Sequence, residues 1–124
     1  MDNKKKIMIV EDNHHARQAL VALLSLQKGI QSTIEASNGL EAVNMIRELA
    51  PDLVLMDMQM PVMGGLEATR IIKQSWPQVK VVVLTIYSEN QTDAFSAGAD
   101  AFLVKGCTTE TMMSSIHKLL LPEK

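Results

Sequence analysis

The sequence has few of the features that mark several large classes of protein. Of its 124 residues only Cys107 is a cysteine, so no internal disulfide can form and a reducing cytoplasm is the expected compartment. Aromatic residues make up 3% of the chain, which removes the stacking platforms of single-strand nucleic-acid binders. The apolar runs are short and interrupted, so none of them could span a bilayer. What is left is globular composition, with 47% hydrophobic and 21% charged residues.

The charge balance gives no sign of a surface for polyanions. Twelve basic residues against fourteen acidic ones give a formal net charge of −2. The basic run Lys4-Lys5-Lys6 is interpreted as a short exposed segment near the terminus. We therefore expect no direct binding of nucleic acid by this domain, and no membrane association.

The apolar pattern predicts an alternation of strands and helices. Three continuous apolar runs are typical of strands buried on both faces, as in a parallel sheet between layers of helices. Predicted strands are residues 7–10, 31–36, 53–56, 81–84 and 101–104; predicted helices are residues 14–26, 40–49, 66–75, 91–97 and 109–120. This order predicts an α/β fold, a doubly wound (βα)5 domain whose five parallel strands follow the flavodoxin-like order 2-1-3-4-5.

Chemically active side chains follow four of the five predicted strands. Glu11 and Asp12 follow the first strand, Asp57 the third, Thr85 the fourth and Lys105 the fifth. In open α/β sheets, ligands bind beyond the carboxyl ends of the strands, where the strand order reverses. With strands 1 and 3 adjacent there, three carboxylates would converge and raise one another's pKa values. Mg²⁺ (or Mn²⁺) would relieve that repulsion, because it prefers oxygen ligands and completes its shell with phosphate oxygens.

The same strand ends supply the groups that phosphoryl transfer requires. Lys105 and Thr85 add a positive charge and a hydroxyl donor beside Asp57, which would be the nucleophile and form an acyl phosphate. Each residue taken alone has an ordinary structural role, such as turn formation for Asp57 or a helix start for Glu11 and Asp12. Their joint occurrence at four strand ends is what predicts the site.

Four stretches carry a resemblance to a known family. They are Ile7–Asn13, Pro51–Pro61, Val82–Thr85 and Ala97–Lys105. Their order and spacing resemble the response-regulator receiver domain of bacterial two-component signalling, along essentially the whole chain. The resemblance implies a CheY-like fold, a single receiver domain over residues 1–124 with no output domain in these residues, and a protein switch that assists its own phosphorylation and dephosphorylation but is not an enzyme.

The resemblance also implies a role for each acidic residue of the predicted site. Asp57 would be the phosphoacceptor. Asp12 would bind the metal directly, Glu11 would act through water, and the backbone carbonyl of Gln59 would be a further ligand. Glu11 stands where many family members have aspartate, and Gly106 stands where proline is frequent.

The remaining implied roles concern switching and partners. Thr85 and Phe102 would form the switch pair, and Lys105 would pair with a phosphate oxygen. The chain has no Gly-x-x-x-x-Gly-Lys nucleotide loop, so the phosphoryl group would come from a sensor histidine kinase or a small phosphodonor. A homodimer formed on phosphorylation through the last helix pair is a further expectation.

Two other classes share part of this pattern. A small aspartyl-phosphate phosphatase would need a second acid two residues after the nucleophile, where this chain has Gln59. A flavodoxin-like flavin binder would need a loop rich in Ser, Thr and Gly after the first strand, where Glu11 and Asp12 would repel the flavin phosphate. Turnover of a free phosphate ester, or a coloured preparation, would favour one of these alternatives.

The output of the switch is indicated by two short segments. Leu84–Glu89 and Phe102–Gly106 look most like receivers of NarL-type helix-turn-helix transcriptional regulators. That implies control of transcription through a DNA-binding domain outside these residues. The alternative is a stand-alone receiver that acts by protein–protein interaction.

Overall fold

The computed structural model describes residues 4–120. Five strands alternate with five helices: β1 (Lys5–Val10), α1 (His14–Ser25), β2 (Ile30–Ala36), α2 (Gly39–Leu49), β3 (Leu53–Asp57), α3 (Gly65–Ser75), β4 (Lys80–Thr85), α4 (Gln91–Ser96), β5 (Ala101–Val104) and α5 (Thr109–Leu120). Every predicted element is confirmed, with ends shifted by at most two residues. A short 3₁₀ turn at Ser88–Asn90, which the sequence pattern did not predict, leads into α4.

The five strands form one parallel sheet in the order β2-β1-β3-β4-β5, as predicted. At its carboxyl edge Val10 pairs with Ala36 on one side and Met56 on the other, and Thr85 pairs with Val104. Because β1 lies between β2 and β3, the residues that follow β1 come next to the end of β3. The topology therefore brings the first and third strand ends together.

Successive residues of each central strand face opposite layers of helices. In β1, Met8 and Val10 pack on the side of α2, α3 and α4, whereas Ile7 and Ile9 pack on the side of α1 and α5. Both layers are buried, which explains why the strands are continuously apolar instead of alternating.

The start of β1 corrects the interpretation of the lysine run as exposed. Lys4 is exposed, but Lys5 and Lys6 are half-buried residues of β1. The Lys6 amide donates to an Asp52 carboxylate oxygen at 2.8 Å, and the Lys6 Nζ donates to the Leu49 carbonyl at 2.9 Å. These contacts hold the lysine at the amino end of the sheet, opposite the predicted site.

Helix α3 begins in direct contact with the backbone of the predicted phosphoacceptor. The Gly65 amide donates to the Met58 carbonyl at 3.0 Å. A Cβ at Gly65 would overlap the Asp57 carbonyl oxygen and lie 2.9 Å from the Met58 Cα. Only glycine lets the helix approach the strand end this closely.

Replacing Gly65 with alanine is expected to lower the free energy of unfolding by about 2–3 kcal/mol, because backbone atoms must shift to admit the methyl group. Gly64→Ala is the matched control, since a Cβ there meets only the Met58 carbonyl oxygen, at 3.2 Å. Urea denaturation of both variants measures the difference. Equal stabilities would show that the close approach at Gly65 does not constrain the fold.

No helix among residues 4–120 has both the length and the apolar character needed to cross a membrane.

Candidate functional site

Three carboxylates meet at the carboxyl edge of the sheet. Glu11 and Asp12 follow β1, Asp57 ends β3, and one oxygen from each lies within 4.8 Å of the others. Glu11 is 3% exposed and Asp57 is 5% exposed, whereas Asp12 lies on the surface. All the candidate ligand atoms are oxygens, two of the carboxylates are buried, and the third is exposed to solvent. These residues fit a small, hard divalent cation that keeps part of its water shell.

A lysine faces the acids from the loop after β5. The Lys105 Nζ lies 2.9 Å from the Glu11 Oε1 and 3.1 Å from the Asp57 Oδ1. The backbone amide of Lys105 donates to the Thr85 carbonyl at 2.7 Å, which extends the β4–β5 ladder and fixes the start of the loop. One ammonium group therefore bridges the two buried carboxylates.

Glu11 is held by donors on both of its carboxylate oxygens. Oε1 accepts from Lys105, and Oε2 accepts from the Asn13 amide at 3.0 Å. The Asn13 side chain caps α1 by accepting from the Ala16 amide at 2.9 Å. Glu11 thus joins the start of α1 to the loop after β5, in addition to its place among the three acids.

Burial raises the pKa of the Asp57 carboxyl group above its usual value, and the negative charges of Glu11 and Asp12 raise it further. The hydrogen bond and positive charge of Lys105 lower it, without cancelling the increase. For Lys105, burial alone would lower the pKa, but the hydrogen bonds and charges of Glu11 and Asp57 outweigh burial and raise it. Lys105 consequently remains protonated at neutral pH.

The raised pKa of Asp57 predicts a measurable dependence of stability on pH. The folded chain binds this proton more tightly than the unfolded chain does, so ionised Asp57 disfavours folding above its folded-state pKa. Because Lys105 keeps its contact with Glu11, we expect Asp57→Asn to increase the free energy of unfolding by about 1 kcal/mol at neutral pH without divalent cations. The advantage should shrink as the pH falls through the folded-state pKa.

Thermal unfolding of the parent chain and the variant across that pH range, in EDTA, measures this effect. Addition of Mg²⁺ should stabilise the parent chain more than the variant, since a ligand that binds only the folded state stabilises it. A variant less stable than the parent chain at neutral pH would contradict the electrostatic argument.

Three further predicted site residues lie on β4, on β5 and after β3. Thr85 is completely buried at the end of β4, and its hydroxyl accepts from the Tyr87 amide at 3.3 Å. Phe102 is half-buried on β5 and pairs with Val83, two residues before Thr85, so both side chains lie on the same face of the sheet. Gln59 is exposed, two residues beyond Asp57.

Sequence reasoning missed Arg17. Its Nη1 donates to the Glu11 carbonyl oxygen at 2.7 Å, and its Nε lies 3.0 Å from the Glu35 Oε1. Arg17 is on α1 and Glu35 is on β2. The two residues lie 18 positions apart on different elements, so no local signal could have identified the pair.

Comparison with known proteins finds one matching family and many relatives. The family model described as "Response regulator receiver domain" matches residues 7–117. Among similar proteins, the response regulator GacA of Pseudomonas aeruginosa is 36% identical over 96% of this chain and 56% of its own length. The response regulator UvrY of Escherichia coli is 41% identical over 91% of this chain and 53% of its own length. The chain spans about half the length of these relatives.

Solved structures give the same result. A LuxR-family two-component response regulator from Aurantimonas superposes with a TM-score of 0.88 at 31% identity, over 94% of this chain and 85% of that one. A LuxR-family DNA-binding response regulator from Staphylococcus aureus gives 0.87 at 29% identity, over 94% and 99%. The chemotaxis protein CheY4 of Vibrio cholerae, at 24% identity over 94% and 98%, shares the fold with a TM-score of 0.83.

Proposed function

Because the chain belongs to the response regulator receiver domain family of two-component systems, we propose that it accepts a phosphoryl group on Asp57 with the help of a divalent cation. Receiver domains of these systems interact with histidine kinases and bind Mg²⁺ at an acidic pocket, and response regulators are generally non-enzymatic switches. The observation that carries the proposal is the approach of Glu11, Asp12 and Asp57 to within 4.8 Å, with Lys105 in contact with two of them.

In the proposed transfer, an Asp57 carboxylate oxygen attacks the phosphorus atom of a phosphohistidine or a small acyl phosphate. The bond from phosphorus to the donor atom breaks as the aspartyl phosphate forms. Glu11, Asp12, Asp57 and the Gln59 carbonyl would hold the cation. When bound, the cation would supply positive charge against the three acids and the phosphoryl oxygens.

Lys105 contributes the second positive charge of the site. Its ammonium group already lies 3.1 Å from the Asp57 Oδ1, so only a short movement is needed to follow the new phosphoryl oxygens. If the Lys105 ammonium group moved from Glu11 and Asp57 toward the phosphoryl group, its positive charge would offset the negative charge of the phosphoryl oxygens. The same groups would assist hydrolysis of the aspartyl phosphate, which would limit the lifetime of the signal without a separate phosphatase.

Switching is assigned to Thr85 and Phe102. The Thr85 hydroxyl, bonded only to the Tyr87 amide at 3.3 Å in the described residues, would turn to the phosphoryl group, and the half-buried Phe102 would rotate inward. Helix α4 has Ala94 as its buried residue, so it is weakly anchored and free to respond. The changed surface would comprise α4, β5 and α5.

The proposed output is transcription, in a bacterial cytoplasm. Relatives include a protein named transcriptional regulatory protein LnrK from Bacillus subtilis, and the LuxR-family structure from Staphylococcus aureus is titled as DNA-binding. The DNA-binding domain would lie outside the 124 residues, which would form the receiver alone. Dimerisation through the last helix pair would accompany phosphorylation, and sedimentation with Mg²⁺ and beryllofluoride, compared with Mg²⁺ alone, tests it.

Labelling with acetyl phosphate tests the proposed function. With Mg²⁺ present, intact mass spectrometry should find one added phosphoryl group, and EDTA should prevent its addition. Absence of labelling in a folded, Mg²⁺-loaded sample would contradict the proposal. Sustained turnover of a free phosphate ester would instead support the phosphatase alternative.

A further inference from the structure

Arg17 connects the acidic site to two elements that do not themselves carry acids of the site. Its guanidinium donates through Nη1 to the Glu11 carbonyl oxygen and through Nε to the Glu35 carboxylate, and its Nη2 lies 3.2 Å from the His14 Nδ1. The Arg17 side chain as a whole is 15% exposed. Glu35, at 41% exposed, supplies the opposite charge from β2.

The carbonyl that Arg17 holds belongs to the peptide group joining Glu11 to Asp12. That peptide group is planar, so fixing its oxygen also fixes the Asp12 amide and the position of the Asp12 Cα. The Asp12 side chain extends from that Cα. At the other end of Glu11, its own backbone amide donates to the Ala36 carbonyl at 3.1 Å. The backbone of Glu11 is therefore held at both ends, by β2 and by Arg17.

Among residues 4–120, the side chain of Asp12 has no comparable support. Asp12 is exposed, unlike Glu11 and Asp57, and it is the acid that lies furthest into solvent. A ligand on an exposed loop residue binds a cation well only if its backbone is already in the binding conformation, because otherwise binding must also order the loop. From the helix side, the Asn13 cap holds the residue after Asp12, and the hydrogen bond from Arg17 acts on the Glu11–Asp12 peptide group itself.

We propose that Arg17, oriented by Glu35, is a positioning residue of the cation site: it fixes the Glu11–Asp12 peptide and so directs the Asp12 carboxylate to the metal. This inference rests on the proposed metal-dependent function. Arginine suits the task because its planar fork can donate to the carbonyl and the carboxylate at once, whereas a lysine has a single donor atom for both. Gln18 reinforces the arrangement by donating to the same Glu35 oxygen at 2.6 Å.

An ordinary structural role makes a different prediction. If Arg17 only tied α1 to β2, its removal would lower the free energy of unfolding and leave the intrinsic affinity of the folded chain for Mg²⁺ unchanged. If Arg17 positions Asp12, the affinity for Mg²⁺ falls in variants that remain folded. The Asp12 amide, which lies in the restrained peptide group, should also change its chemical shift before any metal is added.

The test is isothermal titration of Mg²⁺ into the metal-free 124-residue chain, with ¹⁵N–¹H NMR spectra of the same samples. For Arg17→Ala we expect a dissociation constant about 10-fold higher than that of the parent chain, the usual scale for loss of an outer-sphere partner. For Arg17→Lys and Glu35→Gln we expect about 3-fold increases, because each retains part of the arrangement. Arg70→Ala, at an exposed arginine on α3, is the matched control and should stay within about 2-fold.

One outcome would overturn the inference and leave the proposed function intact. In that outcome the Arg17→Ala variant is folded, its Mg²⁺ dissociation constant is within 2-fold of that of the parent chain, and its Asp12 amide signal is unmoved. If Arg17→Ala does not fold, Arg17→Lys and Glu35→Gln decide the matter, and parent-like binding in both overturns it. A parent chain that takes up no Mg²⁺ would overturn the proposed function itself and, with it, this inference.

Discussion

Asp57→Asn is expected to abolish phosphoryl incorporation from acetyl phosphate in the presence of Mg²⁺. The amide nitrogen and oxygen of asparagine carry no negative charge, so the variant lacks the nucleophile that forms the acyl phosphate. Within the described residues, Lys105 contacts one carboxylate besides that of Asp57, which is the carboxylate of Glu11. Both oxygens of Glu11 already accept hydrogen bonds, from Lys105 and from the Asn13 amide. We therefore expect a loss to background rather than a partial decrease.

Two comparisons make the Asp57 result specific. Asp93→Asn, at an exposed aspartate on α4, should label as the parent chain does. Thermal unfolding should show that Asp57→Asn is folded and at least as stable as the parent chain, in line with the raised pKa of Asp57. Labelling retained in a folded Asp57→Asn variant would refute the assignment of this residue as phosphoacceptor.

Asp12→Asn is expected to weaken Mg²⁺ binding by about 100-fold, equivalent to about 2.8 kcal/mol. The substitution removes one of three negative charges and replaces a charged ligand with a weakly coordinating amide. Because Asp12 is exposed, its loss should scarcely affect folding. The rate of phosphorylation at low Mg²⁺ should fall with the affinity, and high Mg²⁺ should restore part of it.

Isothermal titration of the metal-free chain measures the change in affinity, with Glu89→Gln, at an exposed glutamate before α4, as control. Glu11→Gln provides an informative contrast, since Glu11 also anchors Lys105 at 2.9 Å and its replacement should disturb that lysine as well. An Asp12→Asn variant that binds Mg²⁺ within about 3-fold of the parent chain would show that the cation, if bound, is held elsewhere.

Much of the fold follows from information that is local in the sequence. Strands buried on both faces are continuously apolar, so Ile7–Val10 and Val81–Leu84 could be assigned without knowledge of their partners. The interpretation of Lys4–Lys6 as exposed was wrong for Lys5 and Lys6, because tertiary contacts decide their exposure: the Lys6 amide donates to Asp52, which lies 46 residues away. The 3₁₀ turn before α4 gave no periodic signal because it contains only three residues.

The site likewise contains residues that the sequence could identify and residues that it could not. Glu11, Asp12, Asp57, Thr85 and Lys105 could be proposed because each stands at a strand end, and a parallel sheet gathers its strand ends at one edge. Their chemical roles remain predictions. Arg17 could not be found, because its contacts are to a backbone carbonyl and to a carboxylate on another strand. The close approach of Gly65 to Asp57 likewise depends on how α3 returns to the sheet.

The most direct test of the account is the chemical location of the phosphoryl group. After treatment with acetyl phosphate and Mg²⁺, borohydride reduction converts an aspartyl phosphate to homoserine, and tandem mass spectrometry locates the converted residue. We expect homoserine at position 57 in samples with Mg²⁺ and none in samples with EDTA. Conversion at a different residue, or conversion at position 57 that does not depend on a divalent cation, would contradict it.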